Sequence, residues 1–252
     1  MRPLPLLLLA LIWASPGHAT VLVRFATSLG DFDVELYDDV AQVTVENFLR
    51  YVRDERYVDS FVHRSAVIRP AAGQPFVPFV IQGGGFTYDP GLGGFVFGQG
   101  LRSVPSYGQI QNEYELSNVR GTIAMAKGQT VNSATSQWFI NLRDNGGLPT
   151  NLDTQNGGFT VFGRVVEPGM EIVDDIAALT RWNAANSVHP ALNELPLIDY
   201  VQNTPVGPQH VVYTSVTEVP EPGVSALRAG ALACVLLLAR LTARRRGADP
   251  RP

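Results

Sequence analysis

Short runs of alternating apolar residues, cut off by glycine and asparagine turns, restrict the fold of this chain more than any other feature. In "VLVRF" (21–25) the alternating residues are Val21, Val23 and Phe25, and in "GDFDVELY" (30–37) they are Phe32, Val34 and Leu36. A period of two belongs to a strand with one face in the core, and the intervening Ser-Leu-Gly predicts a hairpin turn. "GTIAMA" (121–126), "SQWFINL" (136–142), "FTVFGRVV" (159–166) and "HVVYTSV" (210–216) read as further strands, with turns at 145–147 and 156–158. Val45, Phe48, Leu49 and Val52 instead fall at helical spacing and predict a helix over 45–53 with Thr44 as its N-cap. Ile172, Val173, Ile176 and Leu179 predict a second over 170–179. Many short strands, with one helix near each end, predict a mainly β fold: a closed or nearly closed antiparallel barrel capped at its openings. Residues 180–209, rich in Asn and Pro, read as an irregular excursion before the last strand.

The two ends do not belong to that core. Residues 1–19, "MRPLPLLLLALIWASPGHA", combine Arg2, an apolar stretch and a small-residue site, and read as a secretory signal cleaved after Ala19. Residues 219–252 combine a Pro-Glu-Pro break at 220–222, an apolar stretch holding Arg228, and the basic run 244–246. This reads as a membrane-engaging sorting or anchor segment, since residues 223–239 reach only the lower edge of a bilayer span. The arginines behind it favour a cytoplasmic C-terminus. One domain over 20–218 remains, exported to the periplasm, cell envelope or extracellular space and anchored through the tail if that segment is retained.

Charge and composition exclude several chemistries. Between Thr20 and Glu218 there are 12 basic and 21 acidic residues, so the domain is near −9 and lacks the clustered positive charge that nucleic acid requires. The single cysteine, Cys234, lies in the tail, which leaves the domain without disulfide or thiol chemistry. His18, His63, His189 and His210 show no metal-ligand spacing, so neither a metal nor a cofactor is expected. The triple glycine of "VIQGGGF" is followed by no Lys-Ser/Thr pair and no helix, as a phosphate loop would need. It reads as backbone under close approach at a strand bend. No GxSxG motif supports a serine hydrolase.

An apolar and amide-rich set is left: Arg64, Phe79, Gln82, Gln137 and Phe139. In "SQWFI" the alternation places Gln137 and Phe139 on one face and Trp138 and Ile140 on the other, and in "FVIQG" Val80 and Gln82 share a face. Two strands each offer an apolar residue beside an amide.

With "TSLGDFDVELY", "VTVENFLRYV", "FVHR", "FVIQGG", "GTIAMA", "TSQWFI" and "FTVFGRV" in this order, the chain resembles the cyclophilins, eight-stranded barrel peptidyl-prolyl isomerases, in their exported bacterial form. The resemblance spans residues 21–179 and the last strand. It implies isomerisation of X-Pro bonds in unfolded or Pro-rich protein substrates, without a cofactor, by a domain expected to be a monomer. Arg64, Phe79, Gln82 and Phe139 are implied as catalytic. Val80, Ala126, Lys127, Gln137, Leu152 and Phe159 are implied as substrate-binding, with the main chain at Lys127 pairing with the residue before proline. The tail is similar to the Pro-Glu-Pro sorting signals of some Gram-negative bacteria, which exosortase processes.

Three departures bear on the site. Asn151 stands where the family has an aromatic residue, which predicts a less apolar wall; Phe159 replaces histidine or tyrosine; and Lys127 replaces a common asparagine. The stretch between "HR" and "FVIQGGG" is longer than the family's connection, so that Phe76 and Phe79 both offer themselves as the socket phenylalanine; counting back from Gln82 selects Phe79. These departures keep a second reading open, a catalytically weak peptide-binding module of the envelope or matrix.

Overall fold

The computed structural model describes residues 21–69 and 73–220. The leader 1–19, nearly all of the tail 219–252, and residues 70–72 of the long connection lie outside the described residues. Strands β1 (Val21–Thr27) and β2 (Gly30–Leu36) precede helix α1 (Gln42–Arg53). Then come β3 (Ser60–Phe61), β4 (Arg64–Ile68), β5 (Val77–Gly83), β6 (Phe86–Tyr88) and β7 (Leu101–Ser103). Next are β8 (Thr122–Met125), β9 (Trp138–Asn141), β10 (Val161–Val165) and helix α2 (Met170–Ala178). The chain closes with β11 (Thr180–Trp182), β12 (Leu195–Leu197) and β13 (Tyr213–Glu218).

Eleven strands follow the order β4-β5-β9-β8-β10-β2-β1-β13-β3-β6-β7. The two ends of this order meet in one short stretch of chain. Val62 N–H donates to Val212 O at 3.0 Å on the β13 side, and the next residue, His63, donates its N–H to Gln82 O at 3.0 Å on the β5 side. Residues 60–68 therefore act as a single stave that closes the ring, and closure removes the exposed edges of an open sheet. Counted this way the barrel has the expected eight staves. The β6–β7 hairpin hangs outside it, and β11–β12 form a separate two-stranded sheet.

The alternation in β1 and β2 behaves as the sequence predicts. Val23, Phe25, Phe32, Val34 and Leu36 are all buried, and Phe25 stacks on Phe32 at 5.0 Å while meeting the edge of Trp138 at 5.0 Å. The turn is paired Thr27 to Gly30, with Thr27 Oγ1 donating to Gly30 O. Helix α1 puts Val45, Phe48, Leu49 and Val52 into this interior, and α2 adds Val173 and Ile176. Ile172 and Leu179 pack against the core while remaining partly exposed.

Two expectations need correction. Helix α1 begins at Gln42, and Thr44 lies inside it and does not cap it. The first-turn donors are satisfied from a distance: the Glu113 carboxylate accepts from Val43 N (3.0 Å), Thr44 N (2.8 Å) and Thr44 Oγ1 (2.7 Å). A carboxylate suits this position because a helix N-terminus carries unpaired N–H groups and partial positive charge. Residues 180–209 are also more than an irregular excursion. They hold β11–β12 and supply Ala184, Leu192, Leu195 and Leu197 to a second apolar cluster with Phe61, Phe86, Tyr88, Phe95, Leu101 and Val211.

Candidate functional site

The barrel wall at β4, β5, β9 and β8 has two apolar faces, because pleating sends successive side chains to opposite sides. Inward go Ile81, Trp138, Ile140 and Ile123. Outward go Val80, Phe139, Ala124 and Ala66, which form a separate cluster with Leu152 and Val161, flanked by Phe79, Ala126 and Phe159. The two-face reading of "SQWFI" and "FVIQG" thus describes the wall as it stands.

Register then lines up the polar and aromatic groups. Arg64 pairs with Gln82, Gln82 with Phe139, and Phe139 with Ala124, one row across four strands. Directly opposed residues share a face and their side chains touch. The guanidinium, an amide and a phenyl ring are consequently neighbours over a span of roughly 10 Å, two interstrand spacings.

A cleft of about 530 Å³ opens over this row. Its walls include Arg64, Phe79, Val80, Gln82, Ala126, Lys127, Phe139, Leu152 and Phe159. Gln137, the remaining residue singled out in the sequence, lines an adjoining hollow of about 220 Å³ with Gln82, Ala126, Lys127, Gly128, Ser133 and Thr135. The two hollows share Gln82, Ala126 and Lys127, and Gln82 Nε2 donates to Gln137 Oε1 at 2.8 Å. Phe139 and Phe159 meet edge to face at 5.8 Å, so the bottom of the cleft is aromatic.

Between Phe76 and Phe79 the structure is unambiguous. Phe79 lines the cleft, whereas Phe76 is 54% exposed with the Arg69 guanidinium 4.9 Å over its ring. The Phe79 carbonyl is fixed by Leu142 N and by Asn145 Nδ2, both at 3.0 Å. The opposite wall is tied down by Asp153. Burial raises its pKa, but hydrogen bonds from Ser117 and Asn118 outweigh that and hold it below the ordinary carboxylate range.

The three departures resolve differently. Asn151 does not line the cleft; it sits at φ +55 with its N–H on Gly147 O at 2.7 Å. Its role is in the turn, a left-handed position that asparagine tolerates better than most residues. The wall there is made by Pro149, Thr150, Leu152 and Gln155. Phe159 supplies aromatic surface as expected. Lys127 directs its ammonium into the 156–158 turn, donating to Asn156 O (2.8 Å), Gly158 O (2.6 Å) and Asn112 Oδ1 (3.1 Å). Burial pulls its pKa down. The three acceptors engage the Lys127 ammonium, and the Ala126 N–H is already on Gln137 O at 2.9 Å.

Next to the row, His63 is buried and its pKa is pushed down to about 3, by burial first and by the Arg64 charge second. It stays neutral at physiological pH. Two of the glycines after Gln82 are explained by Trp138, since a Cβ at Gly83 would stand 2.3 Å from the indole and Gly84 adopts φ +71 between Ser136 O and the same ring, while a Cβ at Gly85 would crowd Gln137 and His63. This is close backbone approach. Among the described residues no group of three or more metal-ligating side chains comes together.

Sequence reasoning passed over Val67, Ile68, Pro149, Thr150 and Gln155 in the cleft, and Glu194 behind it. Val67 and Ile68 were within reach, since β4 runs on through "SAVI" past Arg64. The loop residues had no periodicity to betray them.

Comparison with known proteins agrees with this geometry. The family model "Cyclophilin type peptidyl-prolyl cis-trans isomerase/CLD" matches residues 22–193. A peptidyl-prolyl cis-trans isomerase of Acinetobacter baylyi is 33% identical over 180 residues, 70% of this chain and 82% of that protein. Peptidyl-prolyl cis-trans isomerase B of Escherichia coli is 39% identical over 158 residues, 62% of this chain and 83% of that protein. In fold, the chain is similar to a crystal structure of a Cryptosporidium parvum cyclophilin type peptidyl-prolyl cis-trans isomerase, with a TM-score of 0.53 at 22% identity over 81% of this chain and 100% of that one. The same Cryptosporidium protein in the presence of the dipeptide Ala-Pro gives a TM-score of 0.51. An eight-stave barrel, an arginine–amide–phenyl row over an apolar cleft, and a family match across most of the domain lead to one conclusion: this chain belongs to the cyclophilin type peptidyl-prolyl cis-trans isomerases.

Proposed function

We propose that this isomerase accelerates X-Pro rotation by stabilising the twisted amide with Arg64, over a socket formed by Phe79, Val80, Phe139, Leu152 and Phe159. The barrier to rotation is roughly 18–20 kcal/mol and comes from amide resonance. A ~10⁵-fold acceleration needs roughly 7 kcal/mol of preferential binding to the twisted state. As the C–N bond twists, the nitrogen recovers a lone pair and becomes an acceptor, and a permanently charged guanidinium is a suitable donor to it. No proton changes owner. Gln82, held by Gln137, takes the substrate backbone, and the Lys127 main chain takes the residue before proline.

The observation that carries this reading is the register row Arg64–Gln82–Phe139, which puts donor, backbone anchor and ring contact on one face. Exchange NMR on an Ala-Pro peptide with the full chain tests it. Arg64→Ala should lower kcat/KM by about 10²- to 10³-fold, the usual cost of removing one transition-state donor. Equal acceleration by both proteins would remove Arg64 from the mechanism.

The substrates we assign are unfolded or proline-rich exported proteins, reached after the leader 1–19 directs export. Residues 219–252 then serve as a sorting or anchor signal, the reading supported by the Pro-Glu-Pro break, the apolar stretch and the trailing arginines. Mass measurement on mature envelope protein checks this, and intact C-terminal arginines would argue against processing.

A further inference from the structure

Glu194, in the 180–209 segment, reaches the functional row at Arg64. Its carboxylate is nearly buried and divides between two guanidiniums, Oε2 lying 3.3 Å from Arg64 Nη2 and Oε1 lying 3.0 Å from Arg69 Nη2. Its backbone is fixed as well, since Glu194 O accepts from Ser65 N at 2.7 Å, the residue next to Arg64. Leu195 and Leu197, buried in the second apolar cluster, anchor the strand that follows. Arg64 has few other restraints: its Nε is buried with no hydrogen-bond partner. A flexible side chain so placed has several rotamers open to it, and only some present donors to the cleft.

We infer that Glu194 is a positioning residue for the isomerase reaction, holding the Arg64 guanidinium from behind so that its remaining N–H groups face the twisted amide. The inference rests on the reading of Arg64 as the transition-state donor. Holding the fork in advance lowers the ordering cost at the moment of reaction, and this benefit belongs to kcat more than to ground-state binding. Arg69 shares the same carboxylate but lies outside the cleft walls, which makes it the internal control.

The test is exchange NMR on the full chain with an Ala-Pro peptide at varied concentration, to separate kcat from KM. Glu194→Gln keeps the shape and removes the charge; it should lower kcat about tenfold with KM within about twofold, roughly 1.4 kcal/mol in barrier. Arg69→Ala should leave kcat within about twofold. In an Arg64→Ala background, Glu194→Gln should cost nothing further, because the effect passes through Arg64. The same factor lost in both backgrounds, or a folded Glu194→Gln with wild-type kcat while Arg64→Ala is impaired, overturns the inference alone. Wild-type activity in Arg64→Ala overturns the reading of Arg64 and the inference with it. If Glu194→Gln does not fold, the Arg64 Nε–H signal of the wild-type chain supplies the answer: hindered guanidinium rotation supports the inference, and free rotation overturns it.

Discussion

The molecule has two apolar interiors built on different principles. Inside the barrel, Phe25, Phe48, Trp138 and Phe162 come from regular staves and a capping helix, each at the position its period dictates. In the outer cluster, Phe61, Phe86, Phe95, Leu192 and Leu195 come from a two-residue strand stub, a short hairpin, a loop and the segment after α2. The first backs the wall that carries the cleft; the second adjoins Glu194, whose carboxylate lies 3.3 Å from Arg64. The strands carry Phe79, Val80, Gln82 and Phe139, the loop residues Pro149, Leu152 and Phe159 complete the cleft, and the segment after α2 reaches Arg64 through Glu194.

This difference can be probed by removing comparable volume from each interior. Phe162→Ala takes a fully buried ring, 5.1 Å from Phe48, out of the barrel. It should cost about 3–5 kcal/mol in urea unfolding, as for other fully packed phenylalanines. A loss below about 1 kcal/mol would mean that the barrel interior can collapse and the distinction is wrong.

The junction between the two interiors is next in size, and it titrates. His63 lies between the row and the outer cluster, its ring meeting Phe86 edge to face at 5.1 Å. Its folded pKa of about 3 is below the unfolded value. Between these values the unfolded chain binds a proton that the native chain refuses, so stability falls as pH falls. From pH ~6.5 to ~4.5 the loss is a little over ~2 kcal/mol, the slope reaching about 1.36 kcal/mol per unit only once the unfolded histidine is fully protonated. Urea midpoints across that window measure it, and His63→Gln should flatten the slope. An unchanged slope in the variant would assign the effect elsewhere. Asp33 and Glu218, each held low first by the hydrogen bond from its arginine partner, add losses only at more acid pH.

Smallest is the outer cluster itself. Leu192→Ala should cost about 2 kcal/mol, the low end for leucine, because walls made of loops can close around the gap. A cost equal to that of Phe162→Ala would make the two interiors mechanically alike.

The same contrast explains what could be read from residues alone. Seven of the eight staves, both helices and the outward pair Val80–Gln82 are local patterns of period two or 3.6, each visible within ten residues, whereas the stave 60–68 shows no such alternation. The start of α1 is not local, because its donors are met by Glu113, about seventy positions further on. Nor is the outer cluster, whose members share no period and find each other only after the barrel exists. Asn151 shows the opposite error: the resemblance assigned it a wall of the socket, while its backbone conformation puts it in a turn. For Lys127 the resemblance pointed to the main chain; the capture of its ammonium by three oxygen acceptors, two of them turn carbonyls, is beyond any sequence pattern.

The stave formed by residues 60–68 joins β13 on one side and β5 on the other, and Arg64 rides on it. A molecule with this seam open would still possess β5, β9 and β8, and with them Phe79, Val80, Gln82 and Phe139 of the cleft, but its guanidinium would be elsewhere. On the proposed reading of Arg64, such a molecule could hold a prolyl peptide without turning it over, and closing the seam is what joins the donor to the ring contact.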